Sequence, residues 1–112
     1  MTRRGVLSSL LLLALAYPLG AQGDLLVAAR RLQAGLRALS SADTATYYTE
    51  AVAASRLVPP HPVVLYHLAR AAALTGRTDS ALHVLSRLAP LGMPRDPSAD
   101  SAFMKLWPAQ SM

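Results

Sequence analysis

Three histidines, six acids and the absence of cysteine bound the chemistry open to this chain of 112 residues. Without cysteine there is no thiol nucleophile, no Cys-ligated zinc, no disulfide framework and no lipid attachment on Cys. His61, His67 and His83 show neither the H-x-x-x-H nor the H-E-x-x-H spacing that sets two imidazoles on one helix face around a metal. They read as surface histidines, with His61 near the N-cap of a helix and His67 and His83 on helices able to bring them close. Asp24, Asp43, Asp79, Asp96 and Asp100 mostly fall at helix starts, where a carboxylate accepts from free backbone N–H groups. Glu50 has no neighbouring carboxylate in sequence for paired acid–base work. No serine lies in a nucleophile elbow, and the six glycines form no phosphate loop. The expectation is a non-enzyme with no catalytic residue, no cofactor and no metal ligand.

The elements that carry these residues are expected to be helices. Leucine and alanine are the two commonest residue types and make up more than a third of the chain, while Ile is absent and Val is sparse. Leu and Ala favour helix, and β-formers are scarce. The net charge of +5 comes from arginines scattered singly or as pairs, with no aromatic interleaving. Such a distribution fits solvated helix faces rather than a nucleic-acid groove.

Residues 1–21 read as a secretory signal peptide. Arg3 and Arg4 precede an apolar run from Val6 to Ala16; Tyr17, Pro18 and Gly20 break it, and Ala21 offers a small residue at the cut. The run is shorter than the ~20 apolar residues of a membrane span. Cleavage after Ala21 is expected, with export to the periplasm or beyond, so membrane contact is confined to this segment. The two arginines also resemble a twin-arginine export signal, which leaves the route open.

Four helical segments are predicted to follow, in two hairpins. Leu25, Ala28, Leu32, Leu36 and Leu39 form one stripe, with Asp24 as cap and Gly35 marking a close backbone contact. After a Ser40–Asp43 turn, Tyr47, Ala51, Ala54 and Val58 form a second stripe, ended by Pro59-Pro60. Pro62 opens the third segment, where Leu65, Leu68, Ala69 and Ala72 face inward and Gly76 ends it. Thr78 or Asp79 caps the fourth, with Ala81, Leu82, Leu85 and Leu88 inward. Residues 92–99 read as a loop. A short helix is expected from Asp100 to Trp107, with Phe103 and Trp107 docking across the fourth helix.

Residues 59–94 resemble the tetratricopeptide repeat, a helix-turn-helix unit of about 34 residues. With Pro62 as the first position, Leu65, Leu68, Ala69, Gly76 and Ala81 meet the pattern at four, seven, eight, fifteen and twenty. Ala72 and Leu88 depart from the usual Tyr and Ala at eleven and twenty-seven. The unit before it is degenerate: Ala54 and Pro59 fall in register, but Leu32, Leu36 and Leu39 match only if the Ser40–Asp43 turn holds one extra residue. The resemblance implies an all-α fold of antiparallel hairpins over residues 22–92, followed by a loop and short helix over 93–112. It also implies a concave face that binds a protein or peptide, lined in this chain by Val63, Tyr66, Arg70 and Ala73.

The leading expectation is therefore an exported protein-interaction module. Two alternatives stand beside it: a helical accessory segment at the start of a longer exported enzyme, truncated here, and a helical protein held in the membrane by its N-terminus.

Overall fold

Each helix boundary has a local cause. The computed structural model describes the backbone of residues 19–104 and the side chains of residues 23–104. Helix α1 spans Leu19–Ser40, α2 Thr44–Leu57, α3 Pro62–Leu74 and α4 Thr78–Leu88. Short 3-10 turns follow at Ala89–Leu91, Pro97–Ala99 and Ser101–Phe103. The described chain is all-helical, as its composition predicts. Most of the expected signal segment lies outside the described residues, and α1 begins before the Ala21–Gln22 junction.

Asp43 caps α2 by accepting from the Thr46 N–H at 3.0 Å and from the Thr46 hydroxyl at 2.7 Å. At the other end Val58 is extended ahead of Pro59-Pro60. Pro62 takes the first turn of α3, where its missing N–H costs nothing, and the His61 ring accepts from the Val63 N–H at 3.2 Å. Two expected caps are corrected. Asp24 lies inside α1 rather than at its start, because the helix runs on toward Leu19. The N-cap of α4 is Arg77, which makes no side-chain cap bond; Thr78 and Asp79 already belong to the helix.

The two hairpins are built alike. Ser40 and Leu74 end α1 and α3, and Thr44 and Thr78 start α2 and α4. Both pairs stand one repeat length apart in the chain. Both turns hold three residues. They close through the Asp43 N–H donating to the Ala38 carbonyl at 3.0 Å and the Arg77 N–H donating to the Ala72 carbonyl at 2.8 Å. The middle residue is left-handed in each: Ala42 at φ 61° and Gly76 at φ 77°. Glycine adopts that conformation freely and alanine does not. The Ser40–Asp43 turn therefore has no extra residue, so Leu32, Leu36 and Leu39 do not fall on repeat positions four, eight and eleven.

The inward face of α1 differs from the leucine stripe. Leu25, Ala28 and Leu32 are buried, but Leu36 is 40% exposed and Leu39 only partly covered. The contact passes through Gly35 instead. A Cβ there would stand 3.0 Å from Tyr47 Cδ1 and 3.2 Å from Glu50 Cβ. The close approach expected at Gly35 is present; Leu36 stands on the exposed side of α1, while Leu39 packs at the edge of the cluster shared with α2.

Helix α3 is the centre of the fold. One apolar cluster joins Tyr47, Ala51 and Ala54 of α2 to Ala28, Leu32, Val64 and Ala71. A second joins Leu65, Ala69 and Ala72 of α3 to Ala81, Leu85 and Leu88 of α4. The stripes expected for α2 and α4 are largely in place, with Val84 more deeply buried than Leu82. Arg77 stacks its guanidinium 4.0 Å from the Tyr48 ring centre, joining the second turn to α2.

The C-terminal segment departs from the expected helix. A 3-10 turn stands at Ser101–Phe103, and Phe103 is fully buried against α3, with its ring 5.7 Å from that of Tyr66. Its main support is α3 rather than α4. Trp107 lies outside the described residues.

Candidate functional site

One side of α3 carries Val63, Tyr66, His67 and Arg70, a 3-1-3 spacing that lines them along one face. Leu36 and Leu39 of α1 approach from one flank, and Pro94 and Arg95 of the loop from the other. Together they bound an open cleft of about 580 Å3. A smaller apolar cleft of about 160 Å3 adjoins it, between Leu25, Ala29 and Leu32 of α1 and His61 and Val64. The two share Leu36, Val63 and His67. A third cleft of about 500 Å3 lies on the far side of Arg70, between Tyr66, Arg95 and the segment around Asp100.

The four groove residues named from sequence are not equivalent. Val63 is exposed on the cleft wall. Arg70 lines two of the clefts with a side chain 25% exposed. Tyr66 is buried apart from a small edge that reaches the clefts. Ala73 is buried in the α3–α4 cluster and lines none of the three.

A polar network runs behind this surface. The Asp100 carboxylate accepts through Oδ2 from the Tyr66 hydroxyl at 2.7 Å and from Arg70 Nε at 3.0 Å. Its Oδ1 accepts from the Ala102 N–H at 2.9 Å. Burial alone would raise the Asp100 pKa. The bonds from Tyr66 and Ala102, with the Arg70 charge, outweigh burial and hold it below the usual range. Burial and then the bond to Asp100 push the Tyr66 phenol up to about 12, so it stays protonated and donates.

On the inner side the Tyr47 hydroxyl and His67 Nδ1 are 2.6 Å apart. Burial, followed by the Arg70 and Arg95 charges, lowers His67 to about 4. The ring is neutral at pH 7. Burial raises Tyr47, so both groups are neutral at pH 7 and a single proton lies between them, the donor being set by the imidazole tautomer. Neither Tyr66 nor His67 is poised near neutral pH for proton exchange. What the face offers is hydrogen bonding, cationic charge and apolar contact.

His61 caps α3 as expected but is buried rather than at the surface, and burial lowers its pKa. His67 is half-buried. His83 is exposed in a separate cleft with Tyr48 and Asp79, so His67 and His83 share no site. Among the described residues no three His, Asp or Glu side chains are grouped to hold a metal.

Sequence reasoning does not place Leu36, Leu39, His67, Arg95 and Asp100 at this site. A sequence signal does exist for two of them. In strict 34-residue register Leu36 and Leu39 stand at the positions of Arg70 and Ala73. Asp100 has none, since its partners lie 30 and 34 residues away in the chain.

No described helix is long and apolar enough to cross a membrane. Compared with family models, curated proteins and solved structures, the chain matches none.

Proposed function

We propose that this chain is an exported interaction module made of two tetratricopeptide-like hairpins, and that it binds a polypeptide along the face of α1 and α3. The observation that carries this reading is the 34-residue offset shared by helix ends, turn length, turn hydrogen bonds and left-handed turn residues. The offset extends to packing. Gly35 and Ala69 are small residues at equivalent places, and each lies where its hairpin's helices meet. It extends to the surface as well. Ala29, Leu32, Leu36 and Leu39 occupy the groove positions of the first hairpin, as Val63, Tyr66, Arg70 and Ala73 do in the second. Seven of these eight border the two adjoining clefts, with Ala73 the exception. A face with apolar walls and a few fixed polar groups suits a peptide better than a reaction.

Export rests on the signal-like segment 1–21. Removal after Ala21 would shorten α1 by its first three residues. Asp24 would then stand in the new first turn, where its charge suits the helix dipole.

A photo-activatable residue placed at Val63, in cells, tests the binding face. Adducts from Val63 and none from His83 on the other side are expected. Adducts of equal yield from both, or from neither, would overturn the proposal.

A further inference from the structure

The segment Asp96–Phe103 crosses the far half of this face and holds on by few points. Asp100 and Phe103 supply the anchors, aided by the buried methyl of Ala102. Residues 89–96, which lead to it, are all exposed. The segment does not fill its seat. The 500 Å3 cleft lies along its edge and the 580 Å3 cleft beside it, and both reach Tyr66, Arg70 and Arg95. Arg95 has no described carboxylate within 4 Å, whereas Arg70 is paired with Asp100. A surface larger than its occupant, with a guanidinium to spare, could hold another segment of the same chemistry.

We infer that Asp100-Ser101-Ala102-Phe103 is a ligand the chain carries for its own binding face, and that the outside partner is a peptide with the same features. It has a carboxylate for Tyr66 and Arg70 and, three residues on, an aromatic ring for the pocket beside Tyr66. Further acidic residues next to that carboxylate would reach Arg95. The partner must displace the resident segment, which is favoured by its tether. The inference deepens the proposed function and rests on it.

A labelled decapeptide with the sequence of residues 95–104 serves as the probe, with the full chain as receptor. Asp100→Asn weakens the resident segment and leaves the seat intact. The peptide is expected to bind this variant at least tenfold more tightly than the unaltered chain. Asp100→Lys should strengthen binding further. The gain should vanish when the aspartate corresponding to Asp100 in the peptide is replaced by asparagine, or when Tyr66→Phe is added to the receptor. Equal affinity for the unaltered chain and Asp100→Asn, or no binding to either, overturns the inference.

Hydrogen exchange on the unaltered chain gives a second measurement that needs no variant. The Phe103 N–H, which donates to the Asp100 carbonyl at 3.1 Å, should exchange well before the α3 amides. Exchange of both at one rate would mark the segment as a permanent part of the core and overturn the inference. Adducts from Val63 report on the groove independently of the segment. A chain that gives them yet refuses the peptide loses this inference and keeps the proposed function.

Discussion

Tyr47 and His67 form a part-buried hydrogen-bonded pair in which burial and the nearby arginines keep the imidazole neutral. The unfolded chain takes up a proton on His67 near the ordinary 6.5, and the folded chain only near 4. Between those values the unfolded state binds more protons, so stability falls as the pH drops. Urea titrations should show full stability above about pH 6.5 and a progressive loss on the order of 2 kcal/mol toward pH 4. His67→Gln, which keeps an acceptor and cannot titrate, should flatten that limb. Asp100 acts lower on the scale. Its carboxyl is depressed in the fold, so its contribution is complete above the unfolded value of about 4 and is lost as the pH falls below it. Tyr66→Phe removes a hydrogen bond to this carboxylate and should cost about 1.5 kcal/mol at pH 7.

At the scale of helices and turns, the two hairpins are one solution reached with different residues. Gly76 holds the left-handed position without strain, and Ala42 holds the same position with its Cβ crowded. Ala42→Gly should therefore stabilise the chain by roughly 0.5–1 kcal/mol, measured by urea midpoint. Gly35→Ala should do the opposite of what helix propensity suggests. The ~1 kcal/mol gained in an open helix meets a Tyr47 ring that is fully buried and tied to His67. Net destabilisation is expected, with a further loss of about 1–3 kcal/mol for Gly35→Leu. These positions also show what can be read from the chain. Asp43, Pro59-Pro60, Pro62 and Gly76 are punctuation with local causes, and the bounds they imply for α2 and α3 match the structure. The orientation of α1 is harder to read, because its leucines lie on two faces and the close contact is marked by an absent side chain. The seat of Asp100 is illegible in the sequence. No local rule relates an aspartate to a tyrosine 34 residues before it.

Over the whole molecule, α3 belongs to both apolar clusters, and Tyr48 and Leu68 pack against both. Neither hairpin can lose its core without exposing the other's. Unfolding should be a single transition, with circular dichroism and tyrosine fluorescence coinciding; separated transitions would mean that the hairpins are independent.

The exposed run before Asp96 has one more consequence. Among the described arginines, Arg95 lies in a long exposed stretch outside any helix, whereas the others lie in helices or, for Arg77, in a three-residue turn. An arginine-specific protease should therefore cut the described residues first at the Arg95–Asp96 bond. Such a cut would leave both apolar clusters covalently whole while severing the tether of the segment that follows. A contact held by linkage would become an encounter between two molecules, subject to dilution. Brief proteolysis, followed by gel filtration at falling concentration, should then release the C-terminal fragment and leave a folded remainder. In a compartment that contains proteases, one irreversible nick could clear this surface for good.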